Sequence, residues 1–139
     1  MKTYNIFISH AWKYSEHYDT IVHWLDEAEQ DGILNWKNYS VPQHDPLIDP
    51  NTQVGKNTLK NMLANQIKPA SIVIILSGMY YSYSDWIQYE LDTATDYNKY
   101  IIAVKPWGQE RIPISIQNNH NALVGWNKKS IIDAIINSK

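Results

Sequence analysis

Apolar residues recur along this chain with two periods, and the alternation between them predicts its elements. Thr3 to Ser9 alternates and is rich in β-formers, which predicts a first strand. Tyr18, Ile21, Val22 and Leu25 then fall at helical spacing, so Ser15 to Glu29 reads as an amphipathic helix stopped by Gly32. Ile33-Leu34-Asn35-Trp36 reads as a short second strand. Asn38 to Gln53 carries three prolines among Asp and Asn residues and reads as a long loop, a length that is uncommon in compact domains and often functional. Leu59, Met62, Leu63 and Ile67 define a second helix, closed before Pro69.

Ala70 to Leu76, built around Ile72-Val73-Ile74-Ile75-Leu76, is apolar and β-branched. That is the pattern of a central strand buried on both faces by helices. Ser84, a plausible N-cap with Asp85 in the first turn, opens a third helix with Ile87, Leu91 and Ala94 on one stripe. Tyr100 to Lys105 reads as a fourth strand halted by Pro106, Leu123 to Trp126 as a short fifth, and Ser130 to Ile136 as a terminal helix. Pro113 to Asn121 is the least patterned stretch. Strand and helix alternate almost throughout, which implies a parallel sheet with right-handed crossovers and helices on both faces. Five strands with one buried run fit a single flavodoxin-like three-layer α/β domain over residues 1–139, with strand order 2-1-3-4-5. In such sheets a ligand lies beyond the carboxyl ends of the strands.

Composition narrows the function classes. The 139 residues are 44% hydrophobic and 19% charged, with a formal net charge of −2 and no concentration of basic residues. This argues against a nucleic-acid backbone binder. The longest apolar run is of strand length, far too short to span a bilayer. There is no cysteine, which excludes disulfides, thiol catalysis and thiolate metal sites. The opening residues carry no signal-peptide core, so a cytoplasmic location is the expectation. Six Trp and ten Tyr stand against one Phe. Aromatics with polar handles suit positions packed on one edge and open to water or ligand on the other.

Candidate chemistry gathers where the predicted strands end. Ser9-His10-Ala11-Trp12 follows the first strand and Trp36 to Pro42 the second. Ser77 to Ser84, including Tyr83, follows the third, and Lys105 to Arg111 the fourth. Each mixes aromatics with hydrogen-bonding groups, the blend a planar heterocycle with sugar and phosphates requires. Trp86 and Glu90, four residues apart, share one helix face beside the apolar stripe. Glu90 is thereby expected at the border of the packed surface. A carboxylate there either approaches a bound sugar while Trp86 stacks, or is an ordinary solvated glutamate. Gly108 and Arg111 suit a phosphate, and Arg111 equally suits a structural ion pair.

Other site chemistries have less support. Ser9, His10 and an Asp could supply a triad, but no nucleophile-elbow motif accompanies them. The five histidines lack zinc spacing. His44 to Asp49 lacks the glycine and terminal glutamate of a calcium loop. Neither a GxGxxG fingerprint nor a Walker loop is present.

Asn5-Ile6-Phe7-Ile8-Ser9-His10 resembles the opening strand of TIR domains, and Ser84-Asp85-Trp86-Ile87-Gln88-Tyr89-Glu90-Leu91 resembles their Ser-x-Trp-x-x-x-Glu-Leu helix. With Trp36 to Pro42 and Lys105 to Arg111 added, the chain resembles the bacterial TIR-like family that includes the TIR subunit of Thoeris antiphage systems. The resemblance implies that Glu90 is the catalytic residue of NAD+ cleavage. It also implies that Asn38, Tyr39 and Ser40 lie in a loop that borders the nucleotide and takes part in self-assembly.

On that implication the substrate set comprises Ser9, His10, Trp12, Asn38, Tyr39, Ser40, Tyr83, Trp86 and Arg111, with NAD+ as substrate and neither cofactor nor metal required. The expected partners are NAD+ or a related nucleotide, further TIR copies and a phage-derived activator. No sensor or oligomerisation module is expected beyond the domain. Two other readings share the fold: a non-enzymatic TIR-like interaction domain, and a nucleoside deoxyribosyltransferase-like enzyme.

Overall fold

A computed structural model describes residues 2–8, 15–40, 61, 64–76, 88, 90–105 and 121–138. Five strands run through it: β1 (Thr3–Ile8), β2 (Asn35–Asn38), β3 (Ile72–Leu76), β4 (Tyr100–Val104) and β5 (Ala122–Val124). All four ladders are parallel, and the order is β2-β1-β3-β4-β5. The flavodoxin-like arrangement expected from the alternation of elements is the one observed.

The sheet is organised around β3. Ile6, Phe7 and Ile8 of β1 pair with Ile72, Val73 and Ile74, while β4 pairs along the whole of β3, from Ile72↔Tyr100 to Leu76↔Val104. Ile72, Val73, Ile74 and Ile75 are all buried. Successive strand residues point to opposite faces, so four buried in a row means that both faces are covered.

Helices supply the cover. α1 (Ser15–Gln30) packs on β2 and contributes Ile21, Leu25 and Ala28 to the core. α2 (64–67) contributes Ile67, and α3 (90–96) contributes Leu91 and Ala94. α4 (Lys128–Asn137) packs on β4 and β5 through Ile131, Ile132, Ala134 and Ile135. α1 and α4 also meet each other. Trp126, just ahead of α4, lies 5.1 Å from the Trp24 ring and 5.2 Å from His17, and Lys128 Nζ is 3.4 Å from Glu27.

Helix ends explain where the elements depart from the apolar pattern. Gly32 sits at φ 74°, and its N–H donates to Glu29 O while Ile33 N–H donates to Ala28 O. This is the paired capping pattern of a Schellman turn. It commits the Ile33 amide to the helix end, so β2 starts at Asn35 and runs to Asn38 rather than over Ile33 to Trp36. Asn98, at φ 56°, closes α3 in the same way, with its own N–H on Thr95 O and Lys99 N–H on Ala94 O. At the far end, Asn127 accepts from Ser130 N. That cap starts α4 at Lys128, two residues ahead of the expected start at Ser130. Residues 9–14, 41–60, 77–87 and 106–120, which the sequence reads as loops and helix starts, lie outside the described residues.

Two substitutions separate the contributions. Ile74→Ala should cost about 2–5 kcal/mol, the range for emptying a buried aliphatic site. Gly32→Ala should cost about 1 kcal/mol and Gly32→Asn less. No atom lies within 4 Å of an added Cβ at Gly32, so the penalty there is left-handed backbone strain alone. Urea denaturation of the three variants measures both.

Candidate active site at the carboxyl edge

Because every ladder is parallel, all five strands end on one edge of the sheet. At the β2 end the backbone ladder continues to Tyr39, whose N–H donates to Ile6 O at 2.8 Å. Asn38 then folds the chain: its Oδ1 accepts from Ser40 N at 2.9 Å, an Asx-type turn that competes with further strand. Its Nδ2 donates to the Tyr18 hydroxyl of α1 at 2.7 Å. Ser40 Oγ in turn accepts from Ile8 N, the last residue of β1, at 2.9 Å. Tyr39 is half-buried and packs against the core. The three loop residues expected at the nucleotide are therefore brought together at the ends of β1 and β2, and all three are hydrogen-bonded to the framework, Tyr39 through its backbone and Asn38 and Ser40 through their side chains.

Glu90 occupies a different position from the one expected. It lies inside the packed surface, only 2% exposed, on the same inward side of α3 as Leu91, Thr93 and Ala94. Asp92, Thr95 and Asp96 face outward, and Asp92 Oδ1 accepts from Gln88 Nε2 at 2.9 Å on that outer side. The apolar stripe thus misses two buried positions, Glu90 and Thr93, and the solvated-glutamate reading does not fit the geometry. One oxygen, Oε2, is buried and accepts no hydrogen bond, while the residue as a whole is engaged in a further interaction. Taking a carboxylate out of water is expensive unless its lone pairs are used. α3 ends beside the start of β4, so Glu90 lies at the end of the segment nearer the carboxyl edge.

Ser9, His10, Trp12, Tyr83, Trp86 and Arg111 lie outside the described residues. Tyr18 was missed as a site residue. Its helical spacing marks it as core, and its hydroxyl gives no signal in sequence that it reaches across to β2. Among the described residues, no three His, Asp or Glu side chains converge as metal ligands, and no helix is long and apolar enough to cross a membrane.

A cleft of about 310 Å³ lies at the opposite, amino edge, between Lys2, Tyr4, Ser71, Asn98, Lys99 and Tyr100. Its polar groups serve the frame: Lys99 Nζ donates to Lys68 O at 2.7 Å and Ser71 Oγ to Asn5 O at 3.2 Å.

A five-stranded parallel α/β domain with a buried carboxylate on the helix after its central strand defines a class of small doubly wound proteins. Within that class the family is specific. Residues 7–111 match the family model described as Thoeris protein ThsB, TIR-like domain, and the chain belongs to that family. Among solved structures, it is similar to the CMP N-glycosidase BcmB of Clostridium botulinum. That match has a TM-score of 0.57 and 15% identity, over 95% of this chain and 98% of the other. It is also similar to a 3-dehydroquinate dehydratase-like protein from Bifidobacterium longum, with a TM-score of 0.51 and 9% identity, over 99% and 95% of the two chains. At these identities the likeness is one of fold. No curated protein matches the chain.

Asn38→Asp keeps the oxygen that accepts from Ser40 N and loses the donor to Tyr18, whereas Asn38→Ala loses both. Asn38→Ala should therefore destabilise by about 1–2 kcal/mol and Asn38→Asp by roughly half as much, at about 1 kcal/mol per exposed hydrogen bond. Thermal melts of the two variants give the ranking.

Proposed function

We propose that this chain is a TIR-like NAD+-processing enzyme that cleaves the nicotinamide–ribose bond and releases an ADP-ribose-derived signal in antiphage defence, acting in the cytosol. The observation that carries the reading is the burial of the Glu90 carboxylate on the inward face of the helix after β3. Membership of the ThsB TIR-like family supports it. So does the occurrence of the same fold in a protein named as a CMP N-glycosidase, a name that describes cleavage of a nucleotide's N-glycosidic bond.

The chemistry follows from the bond. Nicotinamide leaves from the anomeric carbon with the bonding electron pair, and the ribose ring takes up positive charge. A fixed carboxylate in a water-poor site stabilises that charge as it develops. The same group can accept from ribose hydroxyls and orient the sugar. Attack by water gives ADP-ribose, nicotinamide and a proton. Attack by the adenine or a ribose hydroxyl of the same molecule gives a cyclic isomer, nicotinamide and a proton. A site that excludes water favours the second course. Self-association and a phage-derived activator complete the reading, since one small domain offers only part of the walls a dinucleotide needs.

Glu90→Gln tests it, because the amide keeps the shape and removes the charge. Turnover of NAD+, read by mass resolution of nicotinamide and ADP-ribose products, should fall by about 10²-fold or more. The melting transition should be retained. Equal turnover by folded Glu90→Gln protein and active wild type would reject the mechanism and leave an interaction domain as the better description.

A further inference from the structure

The junction of β1 and β2 is closed by a side chain where the pattern calls for backbone. In a parallel ladder each N–H of one strand meets a carbonyl of its neighbour, in regular alternation. Ile6 is paired with Asn38, and Tyr39 N–H donates to Ile6 O. One rung further, Ile8 N–H would meet the Tyr39 carbonyl. It meets Ser40 Oγ instead, at 2.9 Å in a partly buried setting. The ladder therefore ends on a hydroxyl. That hydroxyl is held by a chain of contacts: Ser40 N donates to Asn38 Oδ1, and Asn38 Nδ2 donates to the Tyr18 hydroxyl.

We propose that Ser40 is a positioning residue, whose hydroxyl ends the β1–β2 ladder and fixes the last amide of β1, that of Ile8, at the carboxyl edge. The three hydrogen bonds join α1, β2 and β1 at the one edge where the strand ends gather. Ser40 thus acts through the Ile8 amide and not by holding substrate itself, which changes the role that its loop position suggests. The catalytic consequence rests on the proposed reading of Glu90 as the heart of that edge. The structural claim does not.

Ser40→Ala removes the acceptor, and Ser40→Thr keeps it. Amide hydrogen exchange at Ile8, followed by NMR, should be about five- to tenfold faster in Ser40→Ala, the scale expected when one net hydrogen bond is lost locally. Exchange at Ile74 in the central strand should stay as in wild type, and Ser40→Thr should return Ile8 to its original rate. With NAD+ as probe, kcat of Ser40→Ala should fall roughly tenfold from misplacement of the site, with KM within about twofold, and Ser40→Thr should recover it.

Unchanged exchange at Ile8 in Ser40→Ala overturns the proposal. Faster exchange with kcat intact also overturns it, because the latch would then position nothing. A rise in KM at constant kcat would make Ser40 a direct substrate contact, contrary to the proposal. Should wild type release no nicotinamide under any condition, the proposed function fails. The exchange measurement at Ile8 then decides the latch by itself.

Discussion

The burial of β3 on both faces is the constraint from which the rest of this structure follows. A strand whose every side chain is out of water needs a ladder on each side and a helical layer above and below. Ile72 to Ile75 meet that demand with β1 and β4 as neighbours and with Leu25, Ile67, Leu91 and Ile135 in the surrounding core. Neighbours that are all parallel must each be reached by a crossover, and crossovers return every strand in the same direction. The gathering of five strand ends on one edge is thus a by-product of packing. The edge at which the candidate site lies is inherited from the core.

That causal order also decides what sequence could reveal. The long signals were legible because they are repeated: β3 announces itself in five consecutive apolar residues, and α1 in Tyr18, Ile21, Val22 and Leu25. Short elements were displaced where backbone hydrogen bonding, which leaves no period, overrode side-chain pattern. The β2 boundary moved because the Ile33 amide is used by the helix end, and α4 begins early because Asn127 caps it. In the site, Glu90 was legible as a carboxylate beside an apolar stripe. Its depth was not, since a helical wheel ranks positions and does not measure the layer packed against them. Ser40 and Asn38 were legible as polar loop residues. Nothing in their identity could tell whether a hydroxyl or amide turns to a ligand or to the Ile8 and Ser40 amides.

The residues matched to the ThsB TIR-like family end at 111, within the connection from β4 to β5. The remaining described elements, β5 and α4, extend the sheet and lie against α1. Trp126 meets Trp24 and His17, and Lys128 reaches Glu27. α1 carries Tyr18, which holds Asn38. A packing contact made by the last helix therefore bears, through one rigid element, on the turn that ends β2. Such a connection is physical contiguity and gives no coupling energy of its own. It does explain why elements beyond the matched stretch are part of the same rigid frame.

The carboxyl edge divides its polar groups between two uses. Asn38 and Ser40 spend their hydrogen-bonding capacity on the framework, where a satisfied group stabilises by about 1 kcal/mol and fixes a direction. Glu90 does the opposite: its side chain is drawn into the core, with one oxygen that accepts no hydrogen bond. A leucine in the same volume avoids the desolvation cost, which the further interaction of Glu90 offsets only at the rest of its side chain. The two uses sit on different elements, the turn after β2 and the helix after β3, and both belong to the segments that parallel pairing brings to one edge of the sheet.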